Sequence, residues 1–294
     1  MTNSKPLVSI GMPVYNEEKY IRQVIDSWLN QNHENFELII SDNASQDNTR
    51  QICEEYAAKD RRIRFYWNEQ NQGASFNFKK VFDLSRGDYF VWSSGHDLRD
   101  SKFLSSCLEV ISKRELLVLA YPQAIWIDSN NQNLGEIQNF IDTRGLDPIS
   151  RLNVVLWGIG YCSPVYGLFR TSALRQVSLG KPVVAPDVLL LTELSLLGEF
   201  AYIPEPLLQI RKMPDFGSWS KYVEKVFNHT LSELSPANLF WQMLEEFIQI
   251  ISKHLGNVPE KDASVSSILL CLLTKYRWIF QGLLEEKPSY DSPS

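Results

Sequence analysis

Apolar runs alternate with longer amphipathic patterns along the first hundred residues of the chain. The apolar runs predict four buried strands, which are Leu7–Met12, Phe36–Ile40, Ile63–Trp67 and Tyr89–Trp92. Each of the first three runs is followed by a loop and then by a helical pattern. Strands that alternate with helices are typical of a parallel sheet with right-handed crossovers. The sequence therefore predicts an α/β fold, with a mainly parallel, Rossmann-like sheet flanked by helices.

The second half of the chain has a less regular pattern. Further strands are predicted at Leu116–Tyr121, Ala124–Ile127, Val165–Arg170, Phe200–Ile203 and Leu207–Arg211. A mobile loop is predicted over 136–150, and a helix over Asp187–Leu197 that Gly198 closes. Beyond about residue 215 the strand patterns give way to helical spacing, over Leu239–His254 and Val265–Leu284. We expect a domain over 1–215, a helical extension over 216–286 and a flexible tail over 287–294.

Composition excludes several classes of protein. The 294 residues carry a net charge of −6, so no broad basic surface favours nucleic acid. The four cysteines are far apart, which is typical of buried thiols in a reducing cytoplasm. The apolar runs Leu7–Met12 and Val265–Leu273 are too short for a secretory signal and a membrane span. We expect a soluble cytoplasmic protein.

Candidate chemistry lies in three loops that follow predicted strands, over 13–17, 42–45 and 94–97. Because parallel strands end at one edge of a sheet, these loops should form one ligand site. His96 and Asp97 offer a nitrogen and oxygens to a divalent metal, and helix N-termini can hold a diphosphate. A carboxylate such as Asp42 can bind a base or a ribose hydroxyl. Neither GxGxxG nor GxxxxGK[ST] occurs, which disfavours a dinucleotide-dependent dehydrogenase or an NTPase.

Several motifs carry a resemblance to the family 2 glycosyltransferases of the GT-A fold. They are Val8-Ser9-Ile10-Gly11-Met12-Pro13-Val14-Tyr15-Asn16-Glu17, the stretch from Phe36 to Thr49, Asn71-Gln72-Gly73 with Asn77, and Gly87-Asp88-Tyr89. They come in the family's order and spacing. The resemblance covers roughly residues 6–212, and its motifs lie in the first hundred. It implies a GT-A fold and a nucleotide-diphospho-sugar donor.

The resemblance also implies roles for individual residues. Pro13 and Tyr15 would lie against the base or ribose, and Asp42 would accept a hydrogen bond from the base. Asn71, Gly73 and Asn77 would shape the wall beside the nucleotide and sugar. Glu17 and Gly95 would complete the nucleotide site. His96 and Asp97 fall at the family's metal motif and would hold Mn²⁺ or Mg²⁺, with the nitrogen ligand favouring Mn²⁺.

The chain departs from the family's Asp-x-Asp pattern at this motif. Ser94 stands where the first aspartate often stands, and His96 takes a usual aspartate position. A hard cation usually takes more than one carboxylate, so weak metal binding, or none, is the alternative.

The second half supplies a candidate base and two candidate cations. In similar enzymes an aspartate opens the helix below the acceptor site and deprotonates the acceptor hydroxyl, a role that Asp187 would take here. The alternative for Asp187 is a helix cap, and the two roles are compatible. Glu193 is a second candidate base, although a solvated or packing role suits its mid-helix position better. Arg170 would lie under the acceptor and Arg211 near the diphosphate; a salt bridge is the alternative for each.

Together these features predict an inverting transferase that moves a sugar, most readily from a UDP-sugar, to a hydroxyl of a saccharide, lipid-linked or protein acceptor. Residues 136–150 would form an acceptor lid. One alternative is a non-catalytic nucleotide-sugar-binding protein with a degenerate metal motif. Another is an interaction protein whose C-terminal aromatic residues form a homodimer face or contact the inner face of a membrane. These residues are Trp241, Phe247, Trp278 and Phe280. Packing of those helices on the catalytic domain is the simpler alternative.

Overall fold

The computed structural model describes residues 5–181, 183, 185–213, 236–255 and 260–274. The described residues form one sheet of nine strands with helices on both faces. The strands are β1 (Val8–Val14), β2 (Phe36–Asp42), β3 (Ile63–Trp67), β4 (Tyr89–Trp92), β5 (Leu98–Arg99), β6 (Leu117–Ile127), β7 (Asn133–Glu136), β8 (Leu168–Arg170) and β9 (Glu199–Arg211). The helices are α1 (Ile21–Leu29), α2 (Thr49–Lys59), α3 (Ala74–Asp83), α4 (Phe103–Ile111), α5 (Pro148–Gly158), α6 (Thr171–Leu174), α7 (Pro186–Leu197), α8 (Pro236–Leu255) and α9 (Glu260–Thr274).

The sheet combines a parallel half and a mixed half. Its order is β3-β2-β1-β4-β8-β6-β9-β5, and β7 pairs with β6. The strands β3, β2, β1 and β4 are parallel, as the alternating pattern predicts. The later strand β8 runs antiparallel to both β4 and β6, whereas β6 and β9 are parallel. The α/β prediction is therefore confirmed, and the mixed half is an addition to it.

The structure changes several predicted elements of the second half. The strands predicted on either side of Pro122 form one strand, β6, and those around Pro204 and Pro206 form β9. Shifts in the β6–β9 register occur at these positions, so the prolines are accommodated without ending the strands. The strand predicted over Val165–Arg170 is replaced at its start by a 3₁₀ turn over Ser163–Tyr166, because Pro164 favours a turn.

The segment 136–150 is not the mobile loop that its polar composition predicts. Its side chains Ile137, Asn139, Ile141 and Thr143 are buried, and the Tyr121 hydroxyl accepts a hydrogen bond from the Ile141 N–H at 2.7 Å. The segment ends in the helix α5, which the sequence pattern did not predict. Asp147 caps this helix by accepting bonds from the N–H groups of Ile149 and Ser150. We therefore drop the expectation that this segment is a lid.

The two C-terminal helices pack on the α/β domain. Buried apolar residues of α8 and α9, including Phe247, Ile251 and Ile268, form one cluster with Leu152 of α5 and Val188 of α7. Packing, the simpler alternative for these helices, is thus what the structure shows. Residues Trp278 and Phe280 and the tail 287–294 lie outside the described residues, and the predicted domain boundaries stay predictions. Across the described ranges, no helix is both long and apolar enough to cross a bilayer.

Candidate active site

Three loops meet at the carboxyl edge of the parallel half, as the sequence predicts. Val14 pairs with Asp42 where β1 and β2 end, and Gly11 pairs with Trp92 where β4 ends. Two of these loops are bonded to each other, because the Ser45 hydroxyl accepts a hydrogen bond from the Asn16 N–H at 2.9 Å. The β1 and β2 loops are therefore one preformed unit. Tyr15 lies at its rim with 41% of its surface exposed, so its ring is accessible to a planar ligand. Pro13 beside it is half-buried.

Asp42 is the buried carboxylate of this unit. Both of its oxygens lie 3.3 Å from the Ser45 nitrogen, and the Ser45 hydroxyl donates a short hydrogen bond to Oδ1. Burial raises the pKa of Asp42, and the bonds from Ser45 oppose this effect. The carboxylate is therefore fixed in orientation at the end of β2, where the resemblance expects the base to bind.

Asn43 organises the wall beside Asp42, although sequence reasoning did not single it out. Its amide nitrogen donates to Asn71 Oδ1 at 2.7 Å and to the Gly73 carbonyl at 3.2 Å. Its oxygen accepts from Asn68 and from the Gln72 N–H. Gly73 has φ +84°, a left-handed conformation that favours glycine. The predicted wall residues Asn71 and Gly73 are thus brought together, and Asn43 is the residue that holds them.

Asn77 continues the same wall from α3. Its amide nitrogen donates to the Ser41 carbonyl at 2.8 Å, which fastens the helix to the end of β2. Its oxygen is buried and has no hydrogen-bond partner within the described part of the chain. The structure therefore places Asn77 with the other predicted wall residues, in a positioning contact with the strand.

Glu17 pairs with His96 across two loops. Glu17 Oε1 lies 2.8 Å from His96 Nδ1, and a Cβ atom at Gly95 would come within 2.6 Å of Glu17 Cγ. The absence of a side chain at position 95 is what lets Glu17 approach. A carboxylate on one ring nitrogen fixes the orientation of a histidine, as it does for histidines that bind metals.

Arg211 joins the end of β9 to the loop of His96 and Asp97. Its N–H donates to Asp97 Oδ1 at 2.8 Å, and its Nε donates to the His96 carbonyl at 3.0 Å. Its two other guanidinium nitrogens bond to the Asp128 carbonyl and to Asn131 Oδ1. The prediction put Arg211 near the diphosphate. The structure places it beside the predicted metal motif, with its side chain engaged in positioning that loop.

Arg99 is a buried cation behind Asp97 that sequence reasoning missed. Its guanidinium lies over the rings of Trp28, Phe103 and Tyr166. Burial lowers its pKa to about 10, and the charge of Asp97 opposes this shift. Its Nε and Nη2 atoms have no hydrogen-bond partner among the described residues. A buried charge of this kind needs a nearby opposite charge, and Asp97 supplies it.

Asp187, in the second half of the chain, acts electrostatically on the same tyrosines as Asp97. Burial and the charges of Asp97, Cys162 and Asp187 raise the pKa of Tyr161 to about 12. Burial and the charges of Asp97, Tyr161 and Asp187 raise the pKa of Tyr166 as well. The two tyrosines therefore lie within electrostatic range of both carboxylates. An enzyme that holds its substrate between a catalytic base and a metal-binding carboxylate needs both groups near the same region.

The helix that carries Asp187 begins differently from the prediction. The capping position is Ala185, which has φ +51° and no side-chain cap, and Asp187 is the second helical residue. Its Oδ1 accepts a hydrogen bond from the Val188 N–H at 3.0 Å. The prediction that Asp187 is the N-cap residue is therefore wrong, because the cap lies two positions earlier. The charge of Asp187 does lie in the first turn, where it offsets the helix dipole.

Two other predicted site residues, Glu193 and Arg170, bond to parts of the protein outside the candidate active site. Glu193 is 2% exposed and accepts bonds from Lys253 at 2.7 Å and His254 at 2.9 Å, so its role is packing against α8 rather than solvation. Arg170 pairs with Tyr89 at the opposite end of β4 from the loops, and it donates to the carbonyls of Leu117 and Ile111. The structure does not bring Arg170 to the site.

Few side chains of the candidate site can bind a metal ion. In the part of the chain that the structure describes, no three His, Cys, Asp or Glu side chains converge as a metal centre. His96 and Asp97 are adjacent, and Asp97 Oδ1 already accepts a bond from Arg211. The pair fits a cation only if a substrate such as a diphosphate supplies the remaining oxygens.

Comparison with known proteins places this geometry in a family. The profile of Glycosyl transferase family 2 matches residues 9–178, which is more than half of the 294 residues. TuaG of Bacillus subtilis, whose name links it to teichuronic acid biosynthesis, is 37% identical over 114 residues, 39% of this chain and 45% of TuaG. A relative from Methanococcus voltae is 29% identical over 176 residues, 58% of this chain and 54% of the relative. Its name is dolichyl N-acetyl-alpha-D-glucosaminyl phosphate 3-beta-D-2,3-diacetamido-2,3-dideoxy-beta-D-glucuronosyltransferase.

Solved structures share the fold across nearly the whole chain. S. aureus TarS 1-349 in complex with UDP-GlcNAc superposes with a TM-score of 0.71 at 17% identity, over 96% of this chain and 76% of TarS. The mannosyltransferase PcManGT of Pyrobaculum calidifontis, in complex with GDP-Man and Mn²⁺, has a TM-score of 0.57 at 14% identity, over 96% of this chain and 74% of that structure. The chain spans about half the length of the curated relatives it matches.

Proposed function

Because the chain belongs to glycosyl transferase family 2, we propose that it moves a sugar from a nucleotide-diphosphate donor, a UDP-sugar, to a hydroxyl of a saccharide or lipid-linked acceptor. One observation carries this proposal: the loops of Tyr15, Asp42 and Asp97 converge at one sheet edge, and Asp97 and Asp187 both lie within electrostatic range of Tyr161 and Tyr166. A donor held by the first group would present its sugar to the second.

The donor would bind to the preformed unit of the β1 and β2 loops. The exposed ring of Tyr15 offers a face for the base, and the fixed Asp42 carboxylate offers an acceptor for an N–H group of the base. The wall held by Asn43 would limit the site on the side of α3. The TarS complex with UDP-GlcNAc and its shared fold support UDP as the first nucleotide to test.

His96 and Asp97 would hold a divalent cation together with the diphosphate, and Mn²⁺ suits the nitrogen ligand better than Mg²⁺. Such a cation supplies charge that offsets the negative charge developing on the leaving diphosphate. The residues of this chain prepare the position: Glu17 orients the His96 ring, and Arg211 fixes Asp97.

Asp187 would accept the proton of the acceptor hydroxyl as that oxygen attacks the anomeric carbon. Attack from the face opposite the leaving diphosphate inverts the configuration at that carbon. Its place in the first turn of α7 keeps its backbone fixed, and its side chain is half-buried. A bond forms between the acceptor oxygen and the sugar, and the bond to the diphosphate breaks.

Thermal-shift titration with UDP, GDP, dTDP and CDP, each with and without Mn²⁺, tests donor binding. We expect UDP to raise the melting temperature, UDP with Mn²⁺ to raise it further, and Mn²⁺ alone to leave it unchanged, because the metal needs the diphosphate oxygens. His96→Ala should abolish the effect of Mn²⁺ and keep a response to UDP alone, because Asp97 remains to balance the charge of Arg99. A response to no nucleotide would refute the donor site.

Donor turnover separates an enzyme from a non-catalytic binder. With UDP-sugars as donors, we expect release of UDP that falls at least 100-fold in Asp187→Asn, while the thermal response to UDP is retained. The matched control is Asp83→Asn, on the exposed face of α3, which should turn over donor at the normal rate. Binding of UDP without any turnover would favour the non-catalytic alternative, which the serine at position 94 makes a specific rival.

A further inference from the structure

A cavity lies beside the candidate base, between the α/β domain and the C-terminal helix α8. Its volume is about 280 Å³, and Asp187 and Tyr166 form part of its wall. The first turns of α3, the segment 178–181 and one face of α7 line other sides, and Glu246 and Ile250 of α8 complete the lining. The C-terminal helix therefore forms part of the same cavity wall as the candidate base.

The wall of this cavity is largely apolar. Its apolar members come from six parts of the chain and include Phe78, Trp92, Val165, Leu179, Leu190 and Ile250. An apolar cavity of roughly 150 Å³ is enough to bind benzene, so this one has room for a longer hydrocarbon group.

Apart from Asp187, the charged side chains that line the cavity are already paired with other side chains of the protein. Glu193 accepts bonds from Lys253, His254 and the Ser178 N–H. Lys181 lies 2.5 Å from Glu246, and Lys79 lies 2.5 Å from Asp83. A sugar in this cavity would bury hydroxyls against side chains whose polar atoms are engaged elsewhere, which is unfavourable. A hydrocarbon group meets no such cost.

We propose that this cavity binds a hydrocarbon chain attached to the acceptor, so that the enzyme acts on a lipid-linked or alkyl-linked sugar and α8 selects it. The proposal rests on the proposed function for the role of Asp187, and it narrows the acceptor to one class. The hydrocarbon chain enters between α3, α7 and α8, and the hydroxyl of the sugar attached to it then lies near Asp187. The ion pairs of Glu193 hold α8 in the position that shapes the cavity.

Binding of two glycosides that differ only in chain length tests the proposal without requiring turnover. We would titrate the full chain with octyl β-D-glucopyranoside, below its micellar concentration, and with methyl β-D-glucopyranoside, by calorimetry. Each buried methylene tightens binding by about fourfold. We expect the octyl glycoside to bind more than tenfold more tightly than the methyl glycoside.

Two residues of α8 provide a matched pair of variants. Ile250 is buried and lines the cavity, whereas Ile248 on the same helix is 41% exposed. Ile250→Trp fills the cavity and should abolish the preference for the octyl chain, and Ile248→Trp should leave it unchanged. Leu179→Trp fills the cavity from a less buried position and serves if Ile250→Trp fails to fold. Equal affinities for both glycosides in the wild type, or equal losses in Ile248→Trp and Ile250→Trp, would overturn the proposal.

The thermal response to UDP keeps this proposal separate from the proposed function. If UDP stabilises the protein and the length of the alkyl chain has no effect on glycoside affinity, the cavity proposal fails and the proposed function stands. If the octyl preference is present and UDP and all other nucleotides have no effect, the cavity binds hydrocarbon but the transferase assignment fails. A UDP response retained in Ile250→Trp shows that the variant is folded and that its donor site is intact.

Discussion

Replacing Glu193 with glutamine removes the charge that joins α7 to the C-terminal helix α8. The carboxylate is 2% exposed, and it accepts bonds from Lys253, His254 and the Ser178 N–H. Glutamine has nearly the same shape but no charge, and its amide NH₂ would face donors. The variant therefore tests the ion pairs without opening a cavity.

The size of the effect follows from the three partners. A hydrogen bond to a charged acceptor contributes roughly 1.5–3 kcal/mol and a neutral one about 1 kcal/mol, so loss of the charge costs about 1 kcal/mol each for His254 and Ser178. Lys253 is about half exposed, and water replaces part of its bond to the carboxylate. Loss of this ion pair therefore adds less than about 1 kcal/mol to the destabilisation. We expect Glu193→Gln to lower the free energy of unfolding by about 2 kcal/mol.

Urea denaturation followed by circular dichroism measures this difference. The matched control is Glu109→Gln, whose partner Lys113 is exposed, as is Glu109 itself; it should change stability by less than about 0.5 kcal/mol. A change in Glu193→Gln no larger than that in the control would show that the pairs contribute no net stability, and the reasoning would be refuted.

The effect should also depend on pH in a defined direction. Burial alone would raise the pKa of Glu193, but the bonds from Lys253, His254 and Ser178 lower it below its ordinary value of 4.5. An acid whose folded-state pKa is lowered stabilises the fold above the ordinary value, and that stability is lost as the pH falls through the folded-state value. The stability advantage of the wild type over Glu193→Gln should therefore be smaller below pH 4.5 than at pH 5.

Three further variants test positioning within the site. Asn43→Ala should weaken the thermal response to UDP and lower stability by about 1–3 kcal/mol in urea, because its four bonds hold the wall. Gly95→Ala should reduce donor turnover at least tenfold by displacing Glu17, whereas Gly160→Ala, whose nearest atom is 3.7 Å away, should not. Arg170→Lys should lower the melting temperature and leave KM and kcat unchanged, because its bonds go to carbonyls remote from the loops; a changed KM would restore it to the acceptor site.

The sequence was a good guide where contacts are local. Each strand of the parallel half is a short apolar run, and the following loops had to share an edge once the strands were parallel. Tyr15, Asp42 and the wall residue Asn71 could therefore be placed together from pattern and resemblance. The prediction that Asp187 opens a helix was close, because a proline and a carboxylate favour the first turn.

The remainder depends on contacts between distant parts of the chain. Nothing near Glu17 indicates that it pairs with His96, and a lone Arg99 after a turn gives no sign of burial. The prolines in β6 and β9 separate the predicted strands, because a local pattern does not show that register shifts accommodate them. The sequence pattern does not predict the helix α5, because the polar residues before it resemble a loop. Only the structure shows that Asp147, at the end of that stretch, caps the helix.

The position of β9 has a consequence for the growing chain. It is the last of the strands described, yet it lies inside the sheet between β6 and β5, and its final residue bonds to Asp97, which lies 114 positions earlier. A ribosome-bound chain that does not yet include residue 211 would carry the His96–Asp97 loop without its anchor. A fragment cut at residue 178, where the family match ends, would also present an open edge of β6 to other chains, an arrangement prone to aggregation.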